Sequence, residues 1–314
     1  MWVVNIGTIM FSYRHAFHAG NHADVLKHAT LIGILQHMVQ KEAALTVIDT
    51  HAGAGLYRLD GDYAQKSGES LEGIARLLQF FAAPGAPAPS ALLRDYLDLV
   101  GEFNKAGGGA TVYPGSPFVT ERLLRGRDRD RQKLFELHPT DARALAGNIA
   151  QLDAGRSIAV LREDGFEGLK KFIPPPARRA LVLCDPSYEM KSDYAAVATM
   201  AADSLKRFAT GTYAVWYPII GRAEAHDLPR RLKTLSNQSR KSWLHATLTV
   251  KGGKAPTPTA LPGVDHKRPG LPASGMFVIN PPHTLREQLA EALPQMKTAL
   301  EQDSKATFTL EAGG

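Results

Sequence analysis

Cysteine is nearly absent from this chain: one residue, Cys184, in 314. A single thiol excludes an internal disulfide and suits a reducing compartment. Long apolar runs are missing as well, and none approaches the ~20 residues that cross a bilayer. The N-terminus has neither the basic n-region nor the cleavage pattern of a secretory signal. No segment repeats another. What is present is an ordinary globular composition, 44% hydrophobic and 22% charged, which points to a cytoplasmic protein outside the membrane. The length suits one large domain or a domain carrying a substantial insertion. A net charge of +6 and a pI near 9.3 mildly favour a polyanionic partner. Residues 1–9 precede a second methionine, Met10, which is read as the working start; nothing functional is placed before it.

Short β-branched and apolar runs alternate with helical stretches, which predicts a parallel-rich α/β sheet with helices on both faces. The expected strands are Leu45–Asp49, Lys133–Leu137, Ser157–Leu161, Ala180–Asp185, Gly211–Tyr217, His245–Val250 and Gly275–Asn280. Residues 57–113 break the rhythm with a Pro/Ala/Gly linker and an amphipathic segment carrying Leu92, Leu93, Tyr96, Val100 and Phe103. They read as a small helical insertion into a domain formed by residues 10–56 and 114–314. Residues 251–273, rich in Gly, Pro and basic side chains, read as a surface loop suited to phosphates.

The polar residues of interest sit at strand ends, where such sheets bind ligands. The apolar run Leu181-Val-Leu-Cys184 stops at Asp185-Pro186-Ser187-Tyr188. One residue separates this from Asp-Pro-Pro-Tyr, a signature of enzymes that methylate an exocyclic amine. An adenine N6 amine is a weak nucleophile because its lone pair is delocalised into the ring. Asp185 and the Pro186 carbonyl, by accepting both amino hydrogens, return electron density to nitrogen. Tyr188 supplies a face on which an extruded base could stack. Earlier strands end in Asp49-Thr-His-Ala-Gly-Ala-Gly55, whose Gly53 and Gly55 permit a tight approach to a ligand, and in Phe135-Glu136, placed for a ribose diol. Glu163-Asp164-Gly165-Phe166 offers a carboxylate for an adenine amino group. Each is weak alone; their order along the strands is what an S-adenosylmethionine site requires.

Competing readings are bland. His15, His18 and His22 have helical spacing, but no thiolate accompanies them and Gly20 interrupts the helix, so no metal is expected. Asn280-Pro281-Pro282-His283 resembles the amino-methylase tetrapeptide but follows the last strand and reads as a turn. Cys184 reads as a packed core thiol. Tyr13 and Arg14 read as nucleotide contacts, and a helix from Asn21 to about Gln40 carries His28 toward the cofactor.

These segments are similar to a known family. The block Ser12-Tyr-Arg-His-Ala-Phe-His-Ala-Gly-Asn-His-Ala-Asp-Val-Leu-Lys-His28, together with Asp49–Gly55, Glu72-Gly-Ile-Ala-Arg76, Tyr113-Pro-Gly-Ser-Pro117, Glu136–Pro139, Asp164–Phe166, Asp185–Lys191, Lys206–Gly211 and Ala273–Met276, resembles the RlmJ-type bacterial 23S ribosomal RNA adenine-N6 methyltransferases. The resemblance runs from Met10 to about Leu293. It implies a class I Rossmann-like methyltransferase using S-adenosyl-L-methionine, acting as a monomer on 23S ribosomal RNA without an obligate protein partner. It implies cofactor contacts from His28, His51, Ser116, Glu136, Asp164, Gly165 and Asp185, beside Gly53. It implies catalysis by Asp185 and Pro186, base stacking by Tyr188, and an RNA contact from Tyr13. Ser187 departs from the family's proline and leaves the loop less restricted. A DNA adenine-N6 methyltransferase would use the same tetrapeptide, and an RNA-binding module with a weakened methylase site is the remaining alternative.

Overall fold

The computed structural model describes residues 15–61, 68–105, 110–152, 154–253 and 270–314. Residues 1–9, Tyr13, Arg14 and most of the basic loop at 251–273 lie outside the described residues. Among those described, one mixed sheet has eight strands in the order β10-β8-β9-β7-β6-β1-β4-β5. These are β1 (Thr46–Asp49), β4 (Arg131–Phe135), β5 (Ile158–Leu161), β6 (Ala180–Cys184), β7 (Thr212–Ile219), β8 (Trp243–Thr249), β9 (Ala273–Ile279) and β10 (Thr307–Gly313). Strands β5, β4, β1, β6 and β7 pair in parallel, while β9 runs antiparallel between β7 and β8. The chain therefore leaves β1 toward β4 and β5, then crosses back to β6. That reversal creates a switch point between β1 and β6.

Period-two alternation assigns the two faces. Leu181 and Leu183 of β6 join one core with α1 (His22–Met38) and α9 (Leu285–Leu300). Val182 and Cys184 join the other, with α7 (Lys191–Arg207) and α8 (Ala223–Gln238). Each fully buried leucine or isoleucine in these layers contributes roughly 1.5–3 kcal/mol. The α/β sheet with helices on both faces is as expected. Cys184 is fully buried and raised in pKa, mainly by desolvation.

Helix α1 is buried on every side from His22 to Leu35. It is enclosed by the sheet, by α9 and by the inserted helices, which explains why its sequence lacks a polar face. Asn21 caps it, its side-chain oxygen accepting from the amides of Ala23 and Asp24 at 3.0 Å. Gly20, at φ 77°, separates it from a single turn at His15–Phe17.

The insertion is bracketed by a two-stranded antiparallel pair, β2 (Leu56–Arg58) and β3 (Val112–Pro114). Its helices α2 (Ile74–Ala82) and α3 (Ala91–Glu102) bury Ile74, Leu77, Leu93 and Tyr96 in the same core as α1. The described residues of the insertion thus belong to the main core, and among them there is no separate one. Two elements were not expected from sequence, the β2–β3 pair and β10. Strand β4 also stops at Phe135, two residues earlier than expected.

Burial disfavours the charged form of several histidines, lowering His22 and His37 as well as three more deeply shifted ones. It pushes His28 down to about 3 and His51 and His245 down to about 4. An unfolded chain binds protons at these positions from pH ~6.5 downward. Burial pushes Asp49 the other way, up to about 6, and Glu136 also upward, so these carboxyls offset part of the loss. The histidines prevail in number, and stability is expected to fall between pH 6.5 and 5. A thermal midpoint that holds or rises across that interval contradicts this sum.

Candidate active site

At the switch point the strand ends open into a cavity of about 640 Å³. The loop after β1 forms its floor. Asp49 is buried, and its carboxylate accepts from the Ser116 hydroxyl at 2.6 Å and from the His51 amide at 3.2 Å. Ser116 opens α4 (Ser116–Leu124), so this bond ties that helix to β1. Gly53 sits at φ 61°, and a Cβ there would fall 2.2 Å from the Tyr57 hydroxyl. Its amide donates to Glu136 at 2.8 Å, while the His138 amide donates to the other carboxylate oxygen at 2.7 Å. Two backbone amides therefore fix Glu136 against the cavity, and each oxygen keeps a second lone pair for a ligand hydroxyl. Burial raises its pKa, partly offset by those amides.

Asp164 and Gly165 form the next wall. Asp164 caps the single turn α6 (Gly165–Gly168) through Oδ1, accepting from the Phe166 amide at 2.8 Å. A Cβ on Gly165 would lie 2.0 Å from the Thr50 carbonyl, so only glycine allows the α6 turn to meet the β1 loop. Phe166 then packs edge-on against His51, ring centroids 4.9 Å apart.

His28 faces the same cavity from α1. Its Nδ1 lies 2.7 Å from the Tyr113 hydroxyl, itself 3.1 Å from that of Tyr96. If the hydroxyls donate along this chain toward Nδ1, Nε2 carries the proton. Nε2 is buried and without a partner, a donor suited to a ligand carboxylate. His28, His51, Gly53, Ser116, Glu136, Asp164, Gly165, Asp185 and Pro186 are all brought to the cavity.

Asp185 is held by a residue that sequence reading did not single out. The Lys27 ammonium lies 2.5 Å from Asp185 Oδ2 and 2.8 Å from Asp24 Oδ1. Asp24 also accepts from the Gly20 amide at 2.8 Å and faces His15 at 3.1 Å. Burial opposes a charge on Lys27, but the two carboxylates outweigh it and raise its pKa above the ordinary value. Burial likewise opposes ionised Asp24, yet Lys27 and His15 hold it well below the carboxylate range. The available signal was the charged pair Asp24 and Lys27 standing in a helix with no polar face.

Tyr188 requires a correction. The structure does not place its ring on the cavity wall. Tyr188 is 2% exposed and packs against Tyr194 and Trp216 with centroids 4.6 and 5.9 Å away. Its hydroxyl donates to the Trp216 carbonyl at 2.6 Å. A backbone φ of 53° turns the side chain down into the core and leaves Ser187, Glu189 and Met190 facing the cavity. Met190 is 64% exposed. The histidines at 15, 18 and 22 diverge to Asp24, Glu69 and the Leu271 carbonyl. Among the described residues no cluster of three metal-ligating side chains occurs. Asn280 follows β9, whose antiparallel direction carries it to the opposite edge, beside the start of β7.

The model of a family described as Ribosomal RNA large subunit methyltransferase D, RlmJ, matches residues 42–311. The chain belongs to this RlmJ family. It is 42% identical over 291 residues to Ribosomal RNA large subunit methyltransferase J of Escherichia coli strain K12, covering 93% of this chain and 94% of that protein. The protein of the same name from Haemophilus influenzae is 39% identical over 302 residues, covering 96% and 98%. A crystal structure of a protein from Legionella pneumophila matches with a TM-score of 0.77 at 29% identity, over 94% of this chain and 98% of that one.

For this RlmJ-family chain, Gly165→Ala is expected to push the Asp164 turn off Thr50. S-adenosylmethionine affinity should fall on the order of tenfold, about 1.4 kcal/mol. Calorimetric titration measures it, and unchanged affinity contradicts the close-approach argument.

Proposed function

We propose that this protein transfers a methyl group from S-adenosylmethionine to N6 of an adenine in 23S ribosomal RNA. The observation that carries the reading is Asp185 at the end of β6, gripped by Lys27 on one oxygen and facing a cavity that also holds Glu136 and Asp164. When bound, the cofactor supplies an electrophilic methyl on a sulfonium.

The chain's own residues do the rest. Glu136 would accept from the cofactor's ribose and Asp164 from its adenine, and His28 would donate to its carboxylate; all three line the cavity. Lys27 occupies Asp185 Oδ2, which leaves Oδ1 to accept one amino hydrogen while the Pro186 carbonyl accepts the other. This arrangement fixes the amine in line for attack, so orientation supplies most of the rate. Asp185 need not be a strong base, because the nitrogen becomes acidic as it takes the methyl. The target base leaves its stack to enter, and with Tyr188 in the core, the exposed rim at Met190 meets it instead. Tyr13 and Arg14 are kept as RNA contacts. The protein acts in the cytoplasm as a monomer, without an obligate protein partner. No helix among the described residues is long and apolar enough to cross a membrane.

Labelled S-adenosylmethionine incubated with protein-free 23S ribosomal RNA and with duplex DNA tests the reading. Label should enter the RNA as N6-methyladenosine; label in DNA alone would sink the assignment. Asp185→Ala should abolish transfer while cofactor affinity persists, and undiminished turnover in that variant would remove Asp185 from the mechanism.

A further inference from the structure

The turn that carries Asp185 and Pro186 is weakly fixed by its own residues. Ser187 is exposed and leaves φ free, where a proline would lock its own φ and restrict Pro186 to extended conformations. Its hydroxyl accepts only a 3.5 Å contact from the Glu189 amide. The next residue, Tyr188, holds a left-handed φ of 53°, which costs roughly 1 kcal/mol or more for a non-glycine residue. A strained turn persists only when its surroundings impose it.

Groups on other elements impose it here, among them the Asp193 carboxylate of α7, which accepts from the Tyr188 and Met190 backbone amides. The Tyr188 phenol is anchored to the Trp216 carbonyl on β7. Arg222, the residue just before α8, donates from Nη1 to the Tyr188 carbonyl at 3.1 Å and to the Glu189 carbonyl at 3.2 Å. One cation thus bridges two successive carbonyls of the turn. Arg222 does not line that cavity, so its action on chemistry is indirect. Bonds to a charged donor are stronger than neutral ones, which suits a clamp on a partly exposed loop.

We infer that Arg222 is a positioning residue for methyl transfer. It clamps the turn after β6 from outside and thereby aims the Pro186 carbonyl, doing for this chain what a rigid residue at 187 would do from within. The inference rests on the proposed N6 methylation for its consequence on rate, and on geometry alone for the clamp.

Arg222→Met should lower the single-turnover rate of methyl transfer roughly 10- to 100-fold, the scale of a small misplacement of a reacting group. S-adenosylmethionine affinity and RNA KM should change less than about twofold, well under 1.4 kcal/mol. Amide hydrogen exchange at residues 187–190 should accelerate. Adding Ser187→Pro to Arg222→Met should restore most of the rate and slow the exchange again. A raised RNA KM with an unchanged rate would make Arg222 a phosphate contact and overturn the inference. A lost rate that Ser187→Pro does not rescue overturns it too, as does unchanged exchange. If the unaltered protein leaves ribosomal RNA unmethylated, the reaction assignment fails, while amide exchange still decides the clamp.

Discussion

A buried lysine holds the site together. Taking the Lys27 ammonium out of water costs several kcal/mol, and the fold tolerates it because two carboxylates from different elements converge on it. Asp24 comes from the same helix, one turn away, and Asp185 from the end of β6. The bridge therefore fixes the rotation of α1 about its axis relative to the central strands. It also divides the labour of Asp185, one oxygen structural and the other open to the cavity. Without that division, a carboxylate at a strand end would be free to point several ways.

Everything around the bridge serves to keep it dry and registered. α1 is enclosed on all sides, so its ammonium meets carboxylates and the Trp216 ring, whose centroid lies 5.9 Å away. The β1 loop turns at Gly53 and is crossed by Gly165, which brings Glu136 and Asp164 to the same cavity. The β2–β3 pair and the inserted helices close α1 from the other side, with the Tyr96–Tyr113–His28 chain running from the insertion into the site. The insertion contributes to the ligand cavity through these contacts.

Much of this was legible in the residues. Strand-end carboxylates at 49, 136, 164 and 185 announce themselves, because a sheet buried on both faces has few other places for a charge. The tight turns at Gly53 and Gly55 were legible too, and both take left-handed φ; that Gly165 passes where a Cβ cannot depends on Thr50, 115 positions away, and was not. Nor was the placement of Tyr188, because a tetrapeptide fixes order and not φ; its left-handed backbone depends on Trp216 and Arg222, residues 28 and 34 positions away. Lys27 was hidden for a related reason. An Asp and a Lys three apart on a helix usually form a solvated pair, and only the enclosure of α1 turns them into a buried one. Strand β10 escaped notice because its edge position leaves every residue at least partly exposed.

The most direct test of the central claim is a double-mutant cycle on Lys27 and Asp185, read as the single-turnover rate of methyl transfer to 23S ribosomal RNA. If lysine acts by orienting the carboxylate, Lys27→Met and Asp185→Asn each cost on the order of 100-fold. The double variant should then be no slower than the worse single one, because residues acting as a unit are not additive. Losses that multiply would show two independent contributions and contradict the account.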